Sequence, residues 1–409
     1  MPDKRGATLL EDLPRELIDK ILVRLTPKDV GRCRAVRTSW RDATSTSEFM
    51  LEHHRSQRSL PIINGQGRPA TFVVFHDVGA KASSQEIWPC LPGAKQHLEN
   101  SIQVACDGFL IIYRRSRFYI CNPLIRMHAV LPQPQVGKAG NNVIGFYRHH
   151  PTGEYRVLWV SRSHIFSLYV LTVGSAEPRH VIVRIPTTSR RCVGHASVEH
   201  MLLNGLRYLP HCPPPIDHHG SLHWCPYSTN EITGDRRDII VFDTEVESFR
   251  WMHGPAQPYS NRRLFKMKET LAFWGSSTPR FTAMDVWVML DYDAEIWSFK
   301  YQIDVSTVEA SRQLYLTSFK KKMKTPLHST VQWFNDMVVL KEHELLIRFN
   351  SKYVLRLDID GKFLGMVNIG KSQYRMLLTQ HRLKHNITPI MFRETQEEDK
   401  ESPFSAGLV

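Results

Sequence analysis

From about residue 60 onward one pattern keeps returning: a short strand-like segment of period two that ends on a polar or turn-prone residue. Its six occurrences are TFVVFHD (71–77), RFYICN (117–122), SLYVLT (167–172), DIIVFD (238–243), WSFKYQID (297–304) and KYVLRLD (352–358). Their last residues lie 45, 50, 71, 61 and 54 positions apart. Several continue through a turn into a second apolar strand, as in VFDTEVESFRWM and VLRLDIDGKFLGMV. A hairpin that recurs every ~50–60 residues cannot bury its apolar face alone. Stacking such units in a ring does bury it, which is the signature of a propeller. The expectation is an all-β propeller-like domain of about six blades, with the nine tryptophans filling the wedges between them.

The front of the chain follows a different period. Leu13, Leu17, Ile18, Ile21, Leu22 and Leu25 recur at spacings of three and four, which places them on one helical face. Pro14 suits a first helical turn, where its missing N–H loses nothing. Thr26-Pro27-Lys28-Asp29 then reads as a second helix start, with Thr26 as cap and Asp29 near the positive end of the dipole. On this second helix Val30, Cys33, Val36 and Trp40 are expected to share a stripe, flanked by Arg34, Arg37 and Arg41 as a rim flanks an interface core. A segment of under about 50 residues is marginal for a core of its own. Some of its apolar surface is therefore expected to meet a partner.

The 409 residues carry 53 Lys and Arg against 40 Asp and Glu, a net charge of +13. That balance would draw anionic partners, but the arginines are scattered and only Trp40 offers a base-stacking ring beside them, so nucleic acid is disfavoured as a ligand. No apolar run approaches the ~20 residues of a membrane span. MPDKRGATLLED has no apolar core of a secretory signal, and the seven cysteines are irregularly spaced. A reduced setting in the cytoplasm or nucleus is the expectation, with the Asn386-Ile-Thr acceptor match carrying no meaning there.

The stretch LPRELIDKILVRLTPKDVGRCRAVRTSW (13–40), followed by Phe49 and His53, resembles the F-box in the form common at the N-terminus of plant F-box proteins. Thr38, where lysine is usual, and Thr26, where proline or serine is usual, depart from the pattern without breaking its apolar spacing. More loosely, ACDGFLIIY with FYICNPLIRMHAVLP, VIGFYRHHPTGEYRVLWV, GSLHWCPY with IIVFDTEVESFRWM, and DVWVMLDYDAEIWSFKYQID resemble the F-box-associated domain, a propeller-like substrate-binding module. The resemblance implies an α+β multidomain chain, a three-helix F-box at 9–55 and a propeller at 68–393; composition adds a polar linker at 56–67 and an acidic, Pro- and Ser-bearing tail at 394–409 that is expected to be disordered. It implies that Leu13, Pro14, Leu17, Ile21, Leu25, Val30, Cys33, Val36 and Trp40 dock on a Skp-type adaptor or form the F-box core. Through that adaptor it implies a cullin scaffold, an unknown protein substrate held on the propeller, and a non-enzymatic receptor subunit of a ubiquitin ligase. Asn122-Pro123 and Asp243 are expected in turns, and Trp224, Trp287 and Trp297 in the core.

Four features tempt toward chemistry. Gly365 to Ser372 (GMVNIGKS) matches G-x-x-x-x-G-K-[ST], yet bulky residues sit where a phosphate loop must bend, and too little chain follows for its sheet. A strand and turn are expected instead. His211, Cys212, His218, His219, His223 and Cys225 crowd one stretch but lack a C-x₂-C pair, so no metal is assigned. Asp291 and Asp293 read as a blade turn rather than an acid–base pair, and Lys320 to Lys324 as a solvated loop. No nucleophile motif is present, and neither catalytic residues nor cofactors are assigned. Loops 133–142, 186–197, 209–220 and 253–263 are the expected reading surface for substrate. The rivals are a basic nucleic-acid binder, a propeller hydrolase, and an F-box protein acting outside any ligase.

Overall fold

Thr26 ends one helix and starts the next. In the computed structural model its hydroxyl oxygen accepts the Asp29 N–H at 3.3 Å and donates to the Asp29 carboxylate at 2.7 Å, while Pro27 occupies the first turn. The helices are α1 (Arg15–Arg24), α2 (Pro27–Val36), α3 (Thr38–Thr44) and α4 (Ser47–Ser56). The structure describes residues 13–389 apart from 67–70, 79–81, 90–100, 115, 126, 136–139, 162–166, 182–212, 226–237, 258, 260, 277–282, 305–336, 342–343, 350–352, 361 and 368–374.

Four helices replace the three expected, and the reason is local. Arg37 is extended (φ −145°, ψ 131°), so α2 stops at Val36 and Trp40 starts a new direction on α3. Thr38 and Ser39 follow at once, and hydroxyl residues favour helix starts over helix interiors. The expected arginine stripe is broken by the same kink. Arg34 turns inward, its Nε donating to Thr44 Oγ1 at 2.9 Å and a second nitrogen donating to the Thr44 carbonyl. Arg41 donates back to the Arg34 carbonyl at 3.1 Å, and Arg37 lies over the Trp40 ring. Arg34 and Arg41 thereby clamp α2 to α3.

Among the described residues twenty-four strands follow. They are β1 (Ser59–Gln66), β2 (Thr71–Val78), β3 (Ala82–Pro89), β4 (Ser101–Cys106), β5 (Phe109–Arg114), β6 (Arg117–Asn122), β7 (Met127–Val130), β8 (Asn141–Arg148), β9 (Tyr155–Ser161), β10 (Ser167–Thr172), β11 (Arg179–Val181) and β12 (Ile216–His218). The remainder are β13 (Ser221–Trp224), β14 (Asp238–Asp243), β15 (Ser248–His253), β16 (Asn261–Met267), β17 (Thr270–Ser276), β18 (Ala283–Asp291), β19 (Ile296–Asp304), β20 (Met337–Lys341), β21 (Glu344–Phe349), β22 (Tyr353–Asp358), β23 (Phe363–Val367) and β24 (Arg375–Lys384). Five antiparallel four-stranded sheets are each built from a continuous stretch: β4–β7, β8–β11, β12–β15, β16–β19 and β20–β23. One further sheet unites the two ends of the chain in the order β24-β1-β2-β3. Residues 59–66, expected as linker, are therefore a strand paired on both sides, with Pro61 at the bulge where a missing N–H is tolerated.

The first strand of each sheet faces the axis, where β24 packs between β20 and β4, and β4 packs on β8. The period of two sends alternate side chains to opposite neighbours. On β5, Phe109 and Ile111 join Phe146 and Trp159 of the next sheet, while Leu110 and Ile112 join Ile62 and Leu383 of the preceding one. Trp159, Trp224 and Trp274 are fully buried in such wedges, whereas Trp287 and Trp297 sit only half-buried at a margin. Trp224 also donates its indole N–H to the Ile144 carbonyl of the neighbouring sheet at 3.2 Å. Asp243 forms its turn by accepting the N–H groups of Glu245 and Val246.

Candidate functional site: the helical face and its seat on the propeller

Of the nine docking or core positions one is buried, four are exposed and four are half-buried. Val30 is completely buried beside Leu22 and Phe49, so it belongs to the helical core. Leu17 is 45% exposed, Ile21 39% and Val36 77%. Pro14 is exposed, and Leu13, Leu25, Cys33 and Trp40 are half-buried. Leu17 and Ile21 stand one helical turn apart on α1, so they present neighbouring apolar side chains to solvent.

The helical core is completed from the far end of the chain. Ile387, just beyond β24, packs into the Leu22, Val30 and Phe49 cluster, with Leu124 at its edge. His54 on α4 has Nδ1 3.0 Å from the His385 carbonyl and Nε2 3.3 Å from Asp107 Oδ1. Tyr155 donates to the other Asp107 oxygen at 3.1 Å. His54 and Tyr155 together hold the Asp107 carboxyl below the ordinary carboxylate range against the opposing effect of burial. Asn386 donates to the Asp107 carbonyl at 2.7 Å, and Asn122 donates to the Asn386 and Thr388 carbonyls at 2.9 Å each. Gly108 is required beside this knot: its φ is +84°, and a Cβ there would stand 2.3 Å from the Lys384 carbonyl.

Sequence reasoning missed this seat. Asn386-Ile-Thr read only as an acceptor triplet, yet Asn386 is 2% exposed and Ile387 5%. The signal available was faint: one apolar residue between polar ones, some 330 positions from the helices it completes. Within the helical segment, His53 and Ser56 finish α1 by bonding the Leu25 and Val23 carbonyls at 3.0 and 2.9 Å. Burial lowers the pKa of His53.

At the axis, a cavity of about 210 Å³ is lined by Cys106, Asp107, Asp217, Lys266, Arg382 and Lys384, among others. Burial pushes the Asp217 carboxyl up, and burial with two nearby carboxylates pushes the Cys106 thiol well up, which works against a thiolate. Among the described residues Cys33, Cys106 and Cys225 are free thiols.

The tempting stretches take structural forms where they are described. Gly365 to Val367 lie in β23, paired with β22, and residues 368–372 lie outside the described residues. His223 packs with Nδ1 3.1 Å from the Ile216 carbonyl and Nε2 2.9 Å from the Tyr292 hydroxyl, so both ring nitrogens are occupied. His218 and His219 stack around the same tyrosine, while His211 and Cys212 lie outside the described residues. Asp291 closes a turn by accepting the Ala294 N–H at 2.9 Å. Lys320 to Lys324, the tail 394–409, loop 186–197 and parts of the other three expected loops also lie outside the described residues. Among the described residues no helix is long and apolar enough to cross a membrane.

Comparison with known proteins gives this geometry its relatives. The model of the F-box associated beta propeller domain matches residues 68–325, more than half of the chain, and the F-box-like model matches residues 10–53. F-box protein At5g18160 of Arabidopsis thaliana is 26% identical over 310 residues, covering 70% of this chain and 69% of its own. The Arabidopsis F-box/LRR-repeat/kelch-repeat protein At1g09650 is 24% identical over 279 residues, covering 61% and 66%. The chain thus spans about two thirds of the length of the curated relatives it matches. With an F-box-like segment seated on a closed ring of sheets, this chain belongs to the F-box-associated β-propeller family.

Proposed function

We propose that this protein is the substrate-recognition subunit of a Skp–cullin–F-box ubiquitin ligase. The observation that carries the reading is the division of the helical apolar residues. Leu22, Val30 and Phe49 are buried with the help of Ile387, while Leu17, Ile21 and Val36 stay in solvent even with the propeller in place. Large apolar side chains gain roughly 1.5–3 kcal/mol each on full burial, so covering these three by an adaptor would favour docking. The propeller then holds a protein substrate. The subunit performs no bond-making step; it raises the effective concentration of a substrate lysine near the charged enzyme carried by other subunits. The cytoplasm or nucleus is the proposed place of action.

The test is co-purification of the full chain with a Skp-type adaptor. Leu17→Asp with Val36→Asp is expected to abolish capture while thermal unfolding of the propeller stays unchanged. Undiminished capture by that double variant would overturn the docking face.

A further inference from the structure

The axial cavity carries more positive charge than its own carboxyls neutralise. Three cations line it: Arg382 and Lys384, alternate residues of β24, and Lys266 of β16. Two carboxyls line it with them, Asp107 and Asp217. These groups converge across the axis. The charge of Lys384 interacts with those of Asp107 and Lys266, and that of Asp217 with Lys266 and Asp107.

The two carboxyls are poor counter-ions. Asp107 is already committed, with His54 Nε2 3.3 Å from one oxygen and the Tyr155 hydroxyl donating to the other at 3.1 Å. Burial pushes Asp217 toward its neutral acid, which donates an O–H instead of repelling an anion. Lys266 does pair with Glu269 at 3.1 Å, but the Glu269 side chain is 93% exposed, so solvent screens that contact.

Arg382 is the least compensated of the three. Its Nε donates to Ser59 Oγ at 3.1 Å, and its two terminal nitrogens donate to the Val339 carbonyl at 2.6 Å and the Ser59 carbonyl at 2.7 Å. All three acceptors are neutral, and two of the five guanidinium N–H groups are left over. Burial, with no carboxylate beside it among the described residues, pushes its pKa down to about 10. A cation held in such a place is ordinarily paired. The cavity of about 210 Å³ has room for a small polyatomic ion and several waters. Chloride would supply charge through one centre only, whereas an oxyanion presents several oxygens to donors arriving from two strands.

We propose that the axial cavity binds a small oxyanion, a phosphate or carboxylate group held between Arg382 and Lys384 of β24 and Lys266 of β16. Because β24 closes the ring and leads into Asn386 and Ile387, an anion bridging it to β16 ties the closing sheet to the sheet β16–β19.

The probes are inorganic phosphate and succinate, each titrated calorimetrically onto the full chain against sodium chloride at matched ionic strength. At least one of the two is expected to bind about tenfold more tightly than chloride and to slow hydrogen exchange in residues 375–384 and 261–267. Phosphate ahead of succinate identifies a tetrahedral ligand group, and the reverse order a planar one. Lys384→Gln is expected to weaken binding about tenfold. Lys266→Gln loses only a solvent-screened partner, so its thermal unfolding should match the wild type while binding falls several-fold; it carries the test if Lys384→Gln does not fold. Lys300→Gln, on the outer strand β19, is expected to bind like the wild type. Equal binding of chloride and both oxyanions, undiminished binding by folded Lys266→Gln, or an equal loss in Lys300→Gln would each overturn the proposal.

Discussion

His223 shows how much a residue's neighbours decide about it. In the sequence it belongs to a run of histidines and cysteines with the composition of a metal site. In the structure the Ile216 carbonyl and the Tyr292 hydroxyl occupy its two nitrogens, and burial drives its pKa from 6.5 to about 3. His218 and His381 are pushed to about 4, again mainly by burial. The consequence for stability has a definite sign. The unfolded chain takes up protons at these rings near pH 6.5 while the folded chain does not, so stability is fully present above that pH. It falls progressively as the pH drops toward 3–4. Urea unfolding of the wild type should therefore weaken steadily between pH 6.5 and 4, and His223→Gln should flatten part of that slope; an unchanged slope would remove His223 from the account. The packing role was legible for Trp224, which sits between strong strand signals. It was not legible for Asn386 or Ile387, because burial there is conferred by helices far away in sequence.

At the scale of elements, period and capping were good guides and helix continuity was not. Thr26-Pro27-Lys28-Asp29 predicts a helix start that the structure reproduces atom by atom. Five of the six recurrent segments become the third strand of a sheet, namely β2, β6, β10, β14 and β22; the sixth, at 297–304, becomes the outer strand β19. The recurrence in the sequence thus reflected one repeated position, and the long steps around 172–304 reflected a change of position and longer connections. The stripe from Val30 to Trp40 failed because a periodicity argument assumes an unbroken axis, and Arg37 breaks it. What the break permits is the Arg34 clamp on Thr44. Arg34→Ala should remove two charge-assisted hydrogen bonds and ease local opening of α2 and α3 by about 1–3 kcal/mol. Native-state hydrogen exchange should show this as faster exchange in α2–α4 with propeller amides unchanged. Faster exchange throughout the ring would mean that the clamp acts globally.

For the whole molecule, the ring and the helical segment are held by the same few residues. β24 supplies the inner strand of the first sheet, and the residues just beyond it lock Asp107, Asn122 and His54 together and fill the helical core. Helical and propeller parts were separable in the sequence as a change of period, but their joint was invisible, since a break in composition marks where elements differ and not where they touch. Deleting residues 375–409 should open the first sheet and loosen the helices together. The expected result is a loss of the cooperative unfolding transition with adaptor capture greatly reduced; capture and melting like the wild type would show that the two parts stand independently.

That shared end has a bearing on synthesis. During translation the front helices and the first three strands emerge early, yet their missing pieces leave the ribosome only after the five continuous sheets have been made. A messenger cut short or a stalled ribosome therefore yields a chain with an unzipped ring and a gap among its helices. On the proposed function such a fragment would be poorly placed to hold an adaptor and a substrate at once, so an incomplete chain would not act as a receptor.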